Sequence, residues 1–373
     1  MTDLRLPPYG AGTIAELLPS VAAGLGVRGY ADVLGLGDAD RVVVILVDGL
    51  GRVALQRHTA ITPVLSGLTS WASGLSTGFP STTTVSLGSL GTGLPPGAHG
   101  LVGTVFWLPE ADRTLSPLGW RDDPNPIATQ PEPTVLERVA AAGVAVTTVS
   151  PRSFEQSGLT RAALRGARYR GADGLGERVG EVCAALAAPG RSLVYVYLGD
   201  LDKTGHVHGQ DSEHWRTELA LVDRFVELLC AAVGPATRIV LTADHGMVDC
   251  PDSERVDLDA DPALNEGLAV LAGEPRARYG YARPGAAADL VAAWQERLAG
   301  LADVLSRDDA VARGLFGEVE PGLVDRIGDV IAIARGQVVL ASPRTDPVIS
   351  GLRGQHGALS EAEYAVPLLL WGP

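Results

Sequence analysis

The sequence predicts an α/β fold: a doubly wound, mostly parallel sheet with helices on both faces and a smaller α/β insertion. Three observations carry that reading. Short apolar runs recur along the 373-residue chain, segments of helical period lie between them, and aspartates stand where several of the runs end. The run from Arg41 to Val47 closes on Asp48-Gly49, the pattern of a strand buried on both faces. Gly143 to Val149, Ser192 to Leu198, Thr237 to Thr242 and Val366 to Trp371 read alike. Thr134 to Ala142 and Thr217 to Val233 read as helices, and in the second Leu219, Val222, Val226 and Leu229 mark one buried stripe. Strands alternating with helices imply parallel connections, and in such sheets the site gathers at the carboxyl ends of the strands. Asp48, Asp202 and Asp244 all fall at or just past such ends.

From Pro251 to Ile349 the pattern changes. An acidic opening leads to a strand-like Tyr279 to Arg283, a helix near Ala286 to Leu298, and strands near Val330 and Val338. The expected organisation is a core of residues 1–250 and 350–373 with an α/β insertion at 251–349, lying over or beside the site like a cap. Leu101 to Pro131, rich in Pro, Gly and aromatic residues, reads as an ordered loop near a pocket.

Composition narrows the function classes. Apolar residues make up 46% and charged ones 20%, which excludes a disordered chain. Val42 to Val47 and Val366 to Trp371 are among the longest apolar stretches, far short of the ~20 residues of a membrane span. Met1 to Gly10 has no apolar core of a secretory leader, so the expected location is cytoplasmic and no membrane partner is expected. Cys183, Cys230 and Cys250 are odd in number and widely spaced, as expected of reduced thiols. A net charge of −14 repels long nucleic acid. A small anionic substrate stays compatible with it, because a local metal cluster outweighs the global field at short range.

Gly49-Leu50-Gly51-Arg52-Val53-Ala54 has the shape of a dinucleotide-binding turn, but that fold also needs an acidic residue ~20 positions on to hold the ribose. Gly49 to Pro109 contains none. A tight strand-to-helix turn is the better reading, with Asp48 either a helix cap or a ligand. Asp202-Lys203-Thr204-Gly205-His206 sets a carboxylate and an imidazole four apart, so one turn aims both at one ion. Asp244-His245-Gly246 follows a strand directly, and Gln355-His356-Gly357 precedes the last one. Each alone is an ordinary capped turn. Together Asp48, Asp202, His206, Asp244, His245 and His356 make six borderline or hard ligands, three for each of two divalent ions, Zn2+ first and Mn2+ next. Two ions ~4 Å apart clamp the attacking and leaving oxygens of a phosphoryl group. Phe79-Pro80-Ser81-Thr82-Thr83-Thr84, before a run of small residues from Val85 to Leu94, offers hydroxyls at a helix N-terminus, where the dipole favours an anion. Plain N-capping is the alternative for that run.

The ordered set Asp48-Gly49, Phe79-Pro80-x-x-Thr83, Asp202-x-x-Gly205-His206, Ala243-Asp244-His245-Gly246-Met247 and His356-Gly357 resembles the type I phosphodiesterase and nucleotide pyrophosphatase family of the alkaline phosphatase superfamily. The resemblance spans nearly the whole chain. It implies an alkaline-phosphatase-like fold and Thr83 as nucleophile, ligating one metal together with Asp48, Asp244 and His245. Asp202, His206 and His356 would hold the other. Where nucleotide-cleaving members carry Phe-Pro-Asn after the nucleophile, this chain has Thr84, Val85 and Ser86, which weighs against nucleotide specificity and leaves Ser86 as a candidate donor to the substrate. The Cys or Ser followed by x-Pro-x-Arg of sulfatases is absent from the nucleophile segment. Phe106 and Trp107 are candidates to stack on a base or aryl group, with core packing the alternative, and His208 is a candidate to orient a ligand. His99 reads as structural, His58 and His214 as surface residues.

The expected activity is therefore hydrolysis of a phosphodiester or pyrophosphate bond in a small anionic substrate, through a covalent phospho-threonine. The alternatives are a phosphomonoesterase or phosphonate hydrolase of the same superfamily, and a catalytically silent metal-binding homologue.

Overall fold

The structure, a computed structural model, describes residues 4–70 and 74–373. Its centre is a seven-stranded sheet. The strands are β1 (Arg41–Val47), β2 (Thr69–Ser70), β3 (Ala145–Ser150), β4 (Arg168–Gly171), β5 (Ser192–Leu198) and β6 (Arg238–Thr242), with β11 (Leu368–Trp371) closing the chain. Their order is β2-β11-β6-β1-β5-β3-β4. The five strands from β6 to β4 run parallel, while β11 lies antiparallel to both β6 and β2. Val42 to Val47 are all buried, and because successive side chains point to opposite faces, both faces of the sheet are covered.

Element boundaries moved where a cap or a breaker acts. The helix Glu213–Val233 begins four residues before the expected Thr217, because the Ser212 hydroxyl accepts from the Trp215 amide at 3.1 Å and caps it. Strand β3 begins at Ala145 and not at Gly143, whose φ of +81° ends the preceding helix in the left-handed conformation. Pro367 splits the expected last strand into Ala365–Val366 and β11.

Within the stretch expected as an insertion lies a second sheet. Its strands are β7 (Leu268–Glu274), β8 (Ala277–Ala282), β9 (Ala302–Ser306) and β10 (Val330–Ala334), antiparallel in the order β7-β8-β10-β9. One face buries Leu290, Trp294 and Leu298 of the helix beside it. The other face contributes Tyr279, Tyr281, Ile331 and Ile333 to the main core, so this sheet is built onto the body of the molecule. Arg276 and Glu363, both fully buried, pair through two hydrogen bonds of 2.8 and 3.0 Å and tie the second sheet to the C-terminal segment. Removing one partner of such a pair strands a buried charge, at about 3–5 kcal/mol. Residues 101–131 form a small hairpin (Phe106–Leu108 with Arg113–Leu115) and short helical turns, bonded to the second sheet through the Tyr279 and Tyr281 hydroxyls.

The helix Thr83–Thr92 is buried at every position. Small residues make that possible: a Cβ on Gly91 would come within 1.7 Å of the Ala163 carbonyl oxygen, which is backbone and cannot yield. Gly91→Ala is therefore expected to destabilise the protein by about 1–3 kcal/mol or more, read as a lower urea midpoint, because the helix must back away from its neighbour.

Candidate active site

The carboxyl ends of β1, β5 and β6 meet the start of the helix Thr83–Thr92. Asp48 extends β1, its amide bonded to the Leu198 carbonyl at 2.8 Å. Gly49 follows with a φ of +75°, and a Cβ there would lie 2.9 Å from Asp202 Cβ. Only glycine accepts both the backbone and that approach, so Gly49 is what lets the helix Asp200–His208 bring Asp202 against Asp48. The glycine turn thus serves a close contact between two carboxylates and not a dinucleotide. Asp244 and His245 leave β6, both fully buried, and His356 comes from the loop before the last strands.

Two groups of possible ligands result. Asp48, Asp244 and His245 offer atoms within 4.8 Å of one another, and so do Asp202, His206 and His356. The groups adjoin: the His245 and His356 rings stack with centroids 3.6 Å apart, and those of His206 and His356 are 5.1 Å apart. All six residues named from the sequence as candidate ligands are therefore brought together, grouped as the resemblance divides them.

The donor set fits divalent cations. Each histidine places Nδ1 on a backbone carbonyl, His206 on Gly354 at 2.7 Å, His245 on Gly246 at 2.9 Å and His356 on Ser81 at 2.9 Å. A carbonyl only accepts, so Nδ1 carries the proton and the Nε2 lone pair is left for a ligand role. Asp48 Oδ1, Asp202 Oδ1 and Asp244 Oδ2 are buried without a hydrogen-bond partner. Three such oxygens in one place call for positive charge.

Electrostatics agree. Burial, with Asp244 and Asp202 close by, holds the Asp48 carboxyl well above the usual range, and burial raises Asp244 also. Burial acts on Asp202 in the same sense, but His206, His245 and His356 outweigh it and hold that carboxyl low. His206, 3.3 Å from Asp202, is raised because the aspartate outweighs burial, and burial beside the other two histidines depresses His356.

The three adjacent threonines are separated by their surroundings. Thr83 Oγ1 lies 3.1 Å from His245 Nε2, facing the ligand groups. Thr82 Oγ1 is 2.7 Å from Thr104 Oγ1 and makes no cap to its own helix. Thr84 is fully buried and its hydroxyl has no partner.

The other candidates lie elsewhere. The Ser86 hydroxyl donates to the Asp244 carbonyl at 2.6 Å, so it braces a ligand loop. Phe106 is fully buried in the main core, and Trp107 is half-buried against Tyr281, with ring centroids 6.4 Å apart. His208 is exposed and stacks on His214 at 3.9 Å, outside both ligand groups. His58, expected at the surface, packs instead on Trp215 and bonds Ala54 O at 2.9 Å. His99 accepts from the Leu101 amide at 3.1 Å and meets Ser89 Oγ at 3.0 Å, a structural histidine that burial first, and then Arg326, lowers to about 3.

Two residues near the site escaped the sequence. Tyr197 donates its hydroxyl to Asp48 Oδ2; lying inside an apolar strand run, it gave no signal. Glu274, at the end of β7, accepts from Thr104 and lies buried beside the cleft, where burial pushes it up to about 7. A Cβ on Gly357 would come 2.8 Å from Glu274 Cγ, so the His-Gly motif also makes room for this carboxyl.

A match to the family model described as type I phosphodiesterase / nucleotide pyrophosphatase runs over residues 42–359, and the chain belongs to that family, an enzyme family of phosphoester hydrolases. Among curated proteins, the phosphopentomutase of Anaeromyxobacter dehalogenans (strain 2CP-C) is 36% identical over 118 residues; the match covers 31% of this chain and 28% of that protein. Murine ectonucleotide pyrophosphatase / phosphodiesterase 5 has a similar fold, with a TM-score of 0.72 at 19% identity over 89% of this chain and 88% of the other. An inactive threonine-to-alanine variant of it, solved with AMP, gives 0.68 at 19% identity over 90% and 88%. Phosphonoacetate hydrolase from Sinorhizobium meliloti 1021, solved with phosphonoformate, gives 0.66 at 18% identity over 88% and 89%. Among the described residues no helix is long and apolar enough to cross a membrane.

Glu274 makes a pH prediction for the cation-free protein. Its folded pKa is raised from 4.5 to about 7, so its contribution is present below pH 4.5 and is lost as pH rises to 7. The loss is roughly 3 kcal/mol at 1.36 kcal/mol per unit. Glu274→Gln is expected to flatten that part of the stability profile, measured by urea unfolding at pH 5 and pH 8.

Proposed function

We propose that this chain is a two-metal phosphodiesterase in which Thr83 is the nucleophile. The observation that carries the reading is that Thr83 lines two cavities at once while its hydroxyl faces His245 and the ligand groups. An inner pocket is walled by Leu87, Phe154, Leu159, Tyr195 and Tyr197. An outer cleft is lined by Asp202, His206, His356, Glu274 and Leu352. A diester has two substituents to house, and a monoester has one.

Asp48, Asp244 and His245 would hold one divalent cation and Asp202, His206 and His356 the other, zinc first and manganese next, and when bound they would supply charge that offsets the phosphoryl oxygens and favours loss of the Thr83 hydroxyl proton. Thr83 Oγ1 forms a bond to phosphorus as the bond to the leaving oxygen breaks, and that oxygen takes up a proton and departs as an alcohol. Water then attacks the phospho-threonine, frees the hydroxyl and yields the monoester. Tyr197 holds Asp48, the backbone carbonyls of Gly246, Gly354 and Ser81 hold the three imidazoles, and Ser86 holds the Asp244 backbone. The inactive threonine variant of the murine neighbour supports a threonine at the centre of the reaction.

Zinc-loaded protein is expected to hydrolyse bis(4-nitrophenyl) phosphate faster than 4-nitrophenyl phosphate, and a chelator should abolish both. A monoester preference would keep Thr83 and the metals but make the enzyme a phosphatase. Thr83→Ala should lower kcat by at least about a thousandfold while the protein still binds zinc, measured by metal analysis beside turnover. His206→Ala should lose one of two bound zinc equivalents, and normal loading would overturn the assignment of that group.

A further inference from the structure

Thr83 Oγ1 lies on the His245 side of the site, and the group of Asp202, His206 and His356 lines the outer cleft but not the inner pocket. In an in-line displacement the leaving oxygen departs opposite the attacking one. The leaving group therefore points into the outer cleft. That cleft, of about 370 Å3 against about 70 Å3 for the inner pocket, is the one with room for a long group.

Polar residues form much of its lining, but the surface that it exposes is mainly apolar. Leu118 stands where the two cavities join, and Val207, Ile349 and Leu352 continue from it. Leu118 is 58% exposed and Val207 57%. Single exposed apolar residues are ordinary, but two on one cleft, with the half-buried Ile349 and Leu352 beside them, form an apolar surface suited to binding. Two polar groups beside them are turned away from it: Glu274 accepts from Thr104 through Oε2 and keeps Oε1 buried, and the Gln355 amide donates to the Ile349 and Leu352 carbonyls at 2.7 and 3.1 Å. Lys203 is the exposed exception. Little remains to read the edges of a base or a sugar.

We propose that the leaving group is an alcohol with an alkyl chain, seated along Leu118, Val207, Ile349 and Leu352, so that the substrate is an amphiphilic phosphodiester. The inference rests on the phosphodiesterase reading and names its substrate class.

The test is binding of methyl-, butyl- and octylphosphonate to zinc-loaded protein by calorimetry, below the concentration at which octylphosphonate aggregates. Full burial of a methylene is worth about fourfold in affinity, and half-exposed walls about twofold, so Kd should fall at least about a hundredfold from methyl to octyl. The heat-capacity change should grow more negative along the series. Val207→Ser with Leu352→Ser, surface changes checked by Tm, should cut that gain about tenfold. A flat series, an undiminished gain in the double variant, or AMP binding more tightly than octylphosphonate would overturn the proposal. Hydrolysis of methyl octyl phosphate, followed by mass spectrometry, should release octanol and methyl phosphate; release of methanol and octyl phosphate would overturn the placement of the chain in the outer cleft. Turnover of bis(4-nitrophenyl) phosphate reads the phosphodiesterase assignment separately, so the two failures are distinguishable.

Discussion

Three carboxylates withdrawn from water in one place are the constraint around which this molecule is arranged. Asp48, Asp202 and Asp244 each keep a buried oxygen with no hydrogen-bond partner, and burial together with its acidic neighbours pushes the Asp48 carboxyl up. Such a cluster opposes folding unless positive charge offsets it. The fold answers with three imidazoles whose Nδ1 atoms are already committed to backbone carbonyls, so each Nε2 is directed toward the cluster. The proposed cations then serve stability and chemistry with the same contacts.

Holding that cluster requires close approach more than volume. Gly49 admits Asp202, Gly357 admits Glu274, and Gly91 admits the neighbouring helix, so the helix Thr83–Thr92 can be buried on all sides. A side chain at any of these positions would separate groups that act only when together. The second sheet takes part as well. Its buried Arg276 is paired with Glu363 in the C-terminal segment, and its Glu274 reaches Thr104, which in turn holds Thr82 beside Thr83. The segment that reads as an appended piece along the chain thus supplies one wall of the cleft and a support behind Thr83.

The fold was legible because fully buried parallel strands leave an unbroken apolar run, and β1 and β5 begin and end where their runs do. The six candidate ligands were legible because each stands in a short motif beside a strand end or a glycine. Less visible were contacts made by residues that serve ordinary roles along the chain. Tyr197 sits inside an apolar strand, and nothing in its neighbours says that its hydroxyl meets Asp48. Ser86 was expected to face the substrate, yet one helical turn beyond Thr83 its hydroxyl meets the Asp244 carbonyl. Phe106 and His208 lie near the motifs along the chain, but the core-facing side of a hairpin and an exposed helix end carry them elsewhere.

By itself the sequence determined the alternation of strands and helices, the residue types able to hold divalent cations, and the hydroxyl segment ahead of a buried helix. These are properties of periodicity and local spacing, which survive without knowledge of distance. Only the tertiary structure decided what surrounds each of the three neighbouring threonines, that the six candidate ligands come within reach of one another, and which atoms of the histidines remain free. It also decided that two cavities meet at Thr83. Those depend on side-chain direction and on contacts between residues more than a hundred positions apart, such as Thr83 with His245, and a linear pattern carries no information on either.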